Sequence, residues 1–246
     1  MTAEKANRQR AKAIEALEDF GGHYRDGTLD LVASQVTDAG LVHLQSLKEI
    51  KDLCLENTQV SDAGLVHLHG LTELNWLYLN KTKVSDVGLV HLKDLPLIHL
   101  NLNHAQVTDA GLAHLQGLTK LKYLYLNNTQ ITDAGLVHLR DLKNLESLHL
   151  DETAVTGSGL AHLAGLTKLN QLSLYDTPVT DAELIHLKNL TNLMQLNLQD
   201  TQVTDAGLVH LKGLTKLGEL TLTHTKVTDQ GVSDLKQALP EVEIYR

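Results

Sequence analysis

Eight histidines stand at one position of a recurring nonapeptide: His43, His67, His91, His114, His138, His162, His186 and His210, at steps of 24 residues with one step of 23. VTDAGLVHL at Val36–Leu44 returns letter for letter at Val203–Leu211. A column of imidazoles suggests general-base catalysis, metal ligation or a proton-operated switch. Base catalysis needs a nucleophile and an orienting group, and no column of Ser, Cys or Asp accompanies the histidines at the same depth. Metal ligation would have to work by pairs of stacked imidazoles, since no cysteine or carboxylate completes a tetrahedral set. On a helix whose buried positions are Leu41 and Leu44, residue 43 lies about 130° from the middle of the buried stripe, at about 100° per residue, and faces outward. A residue present in eight successive copies, and replaced only by Asp234 in the last, belongs to the repeating unit, so the row reads as surface or packing, and no catalytic or metal-binding residue is assigned.

The remaining chemistry-bearing residues are sparse. Cys54 is the only cysteine, which excludes an intrachain disulfide and leaves an idle thiol. Asp151 and Glu152 are neighbours whose side chains diverge on a strand, so they do not form an acid–base pair. No phosphate loop, G-x-G-x-x-G, H-E-x-x-H, C-x-x-C or G-x-S-x-G occurs, and no cofactor is expected.

The elements that position these residues follow from the period. One unit, LKYLYLNNTQITDAGLVHLRDLKN from Leu121 to Asn144, has two halves. Leu124 and Leu126 alternate as in a short strand, whereas Leu136, Leu139 and Leu142 are spaced by three, as in a helical segment. Thr132 stands at the N-cap, and Asp133 follows in the first turn, where its charge meets the helix dipole. The residue after the Thr/Ser marks nine copies, at Asp38, Asp62, Asp86, Asp109, Asp133, Gly157, Asp181, Asp205 and Asp229. Such a unit cannot bury its own leucines, so neighbours must stack around one continuous core.

Leu53, Leu55 and Val60 in LCLENTQV, with their equivalents from roughly Leu29 to Val232, resemble the L-x-L-x-x-N/C-x-L core of the leucine-rich repeat family. The VTDAGL half resembles bacterial repeats in the style of the ribonuclease-inhibitor-like and internalin-like branches. The resemblance implies an α/β solenoid, a curved horseshoe with parallel strands on the concave face and short helices on the convex face. In place of the family's Asn or Cys ladder stand Thr58, Thr82, Thr129, Thr153, Thr177, Thr201 and Thr225, interrupted by Ala105 and expected to bond the neighbouring turn. The chain 1–246 reads as one leucine-rich repeat domain: a helical cap over 1–25, about nine repeats over 26–232 and a capping unit over 233–246, where VEIY supplies a last strand.

If repetition marks scaffold, the variable inward positions mark recognition. Five of the eight aromatic residues, Trp76, Tyr78, Tyr123, Tyr125 and Tyr175, fall in these columns. The strands carrying the two aromatic pairs should lie about 10 Å apart, straddling His99 and Asn101 in one patch that His149 extends. Such residues dominate binding hot spots; the plainer reading is that they cover the sheet and stack along it. Asp151, Glu152, Asp176 and Asp200 gather on the strand-to-turn edge and would suit a basic ligand, or serve only as a solvated surface.

A formal charge of −9 disfavours nucleic acid and anionic membranes as partners. The first residues, MTAEKANRQRAKAIEAL, are charged throughout, no apolar run approaches a membrane span, and the lone cysteine fits a reducing compartment, so a cytoplasmic location is expected. The function expected is non-catalytic binding of a protein or peptide on the concave face, which the resemblance also implies. The alternatives are an assembly spacer or fragment of a larger multidomain protein and, last, a metal-dependent enzyme.

Overall fold

The computed structural model describes residues 2–246. It divides into two compact units, Met1–Leu121 and Lys122–Arg246. In the first, α1 (Ala3–Glu18) starts at Thr2, whose side chain accepts from Lys5 N–H, and buries Ala13 and Leu17 against the first helical segment, Gly40–Ser46. Arg10 of α1 ties this cap down through Glu49 and the hydroxyl of Tyr24. The strands β1 (His23–Arg25) and β2 (Thr28–Asp30) form an antiparallel hairpin. This hairpin crosses the expected cap boundary at residue 25 and departs from the parallel pairing of β2 to β5. β3 (Asp52–Cys54), α2 (Asp62–Leu65), β4 (Trp76–Tyr78), α3 (Asp86–Leu89), β5 (His99–Asn101) and α4 (Asp109–Leu112) follow. Leu29, Leu53, Leu77 and Leu100 stand in register at the centres of β2 to β5, all fully buried.

The second unit repeats the plan with β6 (Tyr123–Tyr125), α5 (Asp133–Leu136), β7 (Ser147–His149), β8 (Gln171–Ser173), β9 (Gln195–Asn197), α6 (Asp205–Leu208), β10 (Glu219–Thr221), α7 (Asp229–Ala238) and β11 (Glu243–Tyr245). Its strands are parallel, with Leu124, Leu148, Leu172, Leu196, Leu220 and Ile244 in register. β11 is the strand expected from VEIY. The helical half is shorter than a regular helix: in α2, α3, α4, α5 and α6 one α-turn passes into a 3₁₀ turn. Thr108, Thr132 and Thr204 cap their helices as expected, accepting from Ala110, Ala134 and Ala206 N–H.

Each strand leaves through a turn with one residue at positive φ, and these positions repeat: Asn57, Lys81 and His104 in the first unit, Asn128, Glu152, Asp176, Asp200 and His224 in the second. The threonine that follows does not bond the neighbouring repeat. Thr58, Thr82, Thr129, Thr153, Thr177, Thr201 and Thr225 each donate to the carbonyl three residues earlier, at 2.5–2.7 Å. The row therefore closes each turn on itself, and at Ala105 the backbone N–H makes that bond to Leu102 O at 3.0 Å.

On the helical side the aspartate bonds the next repeat. Asp62 accepts Ser85 N–H at 2.7 Å and the Ser85 hydroxyl at 2.6 Å. Asp38 holds Ser61 in the same way, Asp86 holds Thr108, Asp181 holds Thr204 and Asp205 holds Thr228. This carboxylate occupies the space over the next repeat's glycine: a Cβ on Gly88 would meet Asp62 Oδ1 at 2.4 Å, and one on Gly207 would meet Asp181 Oδ1 at 2.5 Å. Where Gly157 replaces the aspartate, the facing residue is Glu183, whose Oε2 accepts the Thr180 N–H at 3.1 Å and hydroxyl at 2.6 Å. The Thr or Ser donors are met by one carboxylate in either case, but Glu183 caps its own repeat and meets the preceding one only by packing its stem over Gly157.

That exchange is transferable. Asp62→Gly should cost about 1–3 kcal/mol through the orphaned Ser85 donors, and Gly88→Glu about 1–3 kcal/mol through overpacking. The double variant Asp62→Gly/Gly88→Glu should lose at least about 1 kcal/mol less than the sum. Urea unfolding of the four proteins measures this, and strict additivity would count against it.

Candidate functional site

In each unit the leucines at strand centres face the core, so the residues on either side of them lie on the opposite, open face of the sheet. In the first unit Trp76 and Tyr78 flank Leu77 on β4, and His99 and Asn101 flank Leu100 on β5. His99 is the centre of the group: its ring stacks on Trp76 at 4.8 Å between centroids with planes 17° apart, and Tyr78 meets it at 4.6 Å. The imidazole is 5% exposed, and burial lowers its pKa to about 4, so it remains neutral at physiological pH. Asn101 spends its Oδ1 on Asn103 N–H at 3.0 Å.

In the second unit Tyr123 and Tyr125 flank Leu124 on β6, and Tyr125 meets His149 of β7 edge-on at 4.6 Å. Burial lowers the pKa of His149 against the opposing pull of Asp151. The Tyr123 hydroxyl donates to Glu146 at 3.3 Å, and Lys122 pairs with the same carboxylate at 2.8 Å. Tyr175 lies one repeat beyond Asp151, whose Oδ1 accepts Tyr175 N–H at 2.9 Å. Glu152, Asp176 and Asp200 take one left-handed position in three successive repeats. Two of them are paired locally, Glu152 with Asn128 at 2.9 Å and Asp200 with His224 at 3.0 Å. Burial and then Asp200, Asp176, Glu152 and Asp151 raise the pKa of the Tyr175 phenol, which registers the negative field of this edge.

A feature not singled out from the sequence is a cleft of about 190 Å³ on the same face, lined by polar groups of His149, Gln171, Ser173, Gln195, Asn197 and Glu219. Gln195 and Glu219 are held together there by a 2.8 Å hydrogen bond. Amides carry no motif; only their shared column position could have drawn notice to them.

The histidine row is half-buried to exposed, with no member in the core, and His67 Nδ1 lies 3.4 Å from Gln45 Nε2. Among the described residues no group of three or more His, Cys, Asp or Glu is placed to hold a metal ion. Cys54, half-buried on β3, has its thiol raised to about 11 by burial and by Asp30, Asp52 and Glu56.

A family profile described as Leucine Rich repeats (2 copies) matches residues 97–138 and 119–164, and a second, Leucine Rich repeat, matches 189–211. The chain carries leucine-rich repeats over these residues. Its fold is similar to that of internalin C2 from Listeria monocytogenes, with TM-score 0.65 and 29% identity over 94% of this chain and 92% of that one. It is also similar to a leucine-rich repeat protein of Leptospira interrogans, with TM-score 0.65 and 24% identity over 83% of this chain and 51% of that one. No curated protein sequence matches. No helix among the described residues of this repeat protein is long and apolar enough to cross a membrane.

Two titrations check these environments. At pH 8 only about one Cys54 thiol in a thousand should be ionised, so alkylation by iodoacetamide should be about a hundredfold or more slower than for free cysteine; a comparable rate would contradict the burial. For His99 the folded pKa lies below the 6.5 of a free imidazole, so the unfolded chain takes up the proton first. Stability relative to His99→Gln should fall between about pH 6.5 and about pH 4 and then level off. Denaturation midpoints across that range show it, and parallel curves for the two proteins would refute it.

Proposed function

We propose that this leucine-rich repeat protein is a non-catalytic module that binds a protein or peptide on the open sheet face. The observation that carries the reading is the packed group Trp76–His99–Tyr78, large amphipathic rings held in place before any partner arrives. Rings already ordered lose little side-chain entropy on binding, which is what makes aromatic anchors effective hot spots. Tyr123, Tyr125, His149 and Tyr175 extend the same residue class over the second unit, and Asn101 adds a polar contact. Asp151, Glu152, Asp176 and Asp200 form the edge for a basic segment, adding steering more than affinity. The neutral His99 and the net charge of −9 favour a polypeptide over nucleic acid or an anionic membrane, and the lone free thiol fits a reducing, cytoplasmic setting.

Selection of a random displayed peptide library on the immobilised chain tests this. Enriched peptides should bind with a Kd of about 1 μM to 1 mM and lose at least about tenfold in affinity to Trp76→Ala/Tyr125→Ala, with the melting temperature little changed. Peptides that bind the double variant equally well, or no enrichment at all, would leave a spacer as the better account.

A further inference from the structure

On the open face of the first unit a set of carboxylates adjoins the aromatic group. Leu29, Leu53 and Leu55 are buried, so Asp30, Asp52, Cys54 and Glu56 stand on the face shared with Trp76 and Tyr78. Asp52 is the register partner of Trp76, and Cys54, between the carboxylates, is the partner of Tyr78. Adjacent strands lie about 4.8 Å apart, so ring and carboxylate are within reach of a single ligand group. Thr28 holds Asp52 with a 2.9 Å hydrogen bond to Oδ2, and Asp30 Oδ1 accepts Val32 N–H at 3.0 Å. The field is strong enough to register on the thiol between them, since after burial Asp30, Asp52 and Glu56 all push the Cys54 pKa upward. No Lys or Arg occupies the inner columns of β2 to β5. Lys51 and Lys81 sit at the rims, and Arg25 of β1 is turned to Asp26 at 3.3 Å.

Aromatic faces attract cations through the ring quadrupole, and carboxylates add charge and acceptors. A guanidinium satisfies both at once, stacking through its plane and forking onto a carboxylate, whereas an ammonium is a compact, strongly hydrated point charge. We propose that the open face from β2 to β5 seats an arginine side chain of the partner polypeptide, stacked on Trp76 or Tyr78 and paired with Asp52 and Glu56. This rests on the peptide-binding reading and supplies the partner's chemistry.

Trp76 is the chain's single tryptophan, so its fluorescence reports this site alone. The full chain is titrated with an acetylated, amidated glycine–arginine–glycine–arginine–glycine peptide and with its citrulline counterpart, which keeps the shape and removes the charge. The expected result is a saturable emission change with the arginine peptide that salt weakens and citrulline abolishes. Asp52→Asn/Glu56→Gln should weaken binding at least about tenfold with unchanged circular dichroism, and Asp200→Asn should leave it intact. Asp52→Asn alone, should the double variant not fold, is expected to show the same direction. Equal binding of the citrulline peptide, unchanged affinity in the Asp52 variants, an equal loss in Asp200→Asn, or no saturable response overturns the assignment. If library-selected peptides still require Trp76 and Tyr125 while the arginine peptide fails, only this inference falls; if neither binds, the peptide-binding reading falls with it.

Discussion

A carboxylate that bridges from one repeat to the next sets the terms on which repeats can follow one another. Leucines make stacking favourable, but leucine packing is forgiving in register. The bidentate grip of Asp62 on the N–H and hydroxyl of Ser85 is directional, and it leaves no room for a Cβ on the facing glycine. Charge-assisted bonds to a backbone donor and a hydroxyl are stronger than neutral ones and fix the approach of the two chains. At Gly157 and Glu183 the Thr180 donors are met instead by a carboxylate of their own repeat, so the donors stay satisfied while the bridge between repeats is absent.

Because these junctions, the leucine core and the self-closing threonine turns hold the backbone, the positions on either side of each central strand leucine can vary. Asp52, Trp76 and His99 occupy one structural position on three successive strands, yet share neither size nor charge. The histidines of the helical half show the opposite behaviour, unchanged through eight successive repeats. Identity across repeats goes with scaffold, and difference goes with the surface we propose for recognition.

Much of this was legible in the sequence. The period of 24 placed every strand from β3 to β10, and Thr132 gave its helix start. The strand alternation put Trp76, Tyr78, His99, Tyr125 and His149 on one side of their strands. Other features were not legible, for physical reasons. Asp133 read locally as a dipole partner, whereas its carboxylate reaches Thr156 and Ser158 of the following repeat, a contact no short window contains. The threonine ladder was expected between repeats but closes within them, since Oγ1 lies nearest the carbonyl three residues back. The β1–β2 hairpin lies outside the periodic segment, where Asp26 and Gly27 adopt positive φ. The amide-lined cleft carries no motif, and Asp30, Asp52 and Glu56 gain meaning only from register with the rings.

The central claim is that recognition resides on the variable open face and not on the repeated helical half. Its most direct test is an amide chemical-shift map of the labelled chain saturated with a selected peptide. The account predicts that the largest shifts fall on strand residues of the open face, around Trp76, Tyr78, His99 and Tyr125. Shifts concentrated instead around Val66, His67, Val90 and His91, with the strands unperturbed, would contradict it.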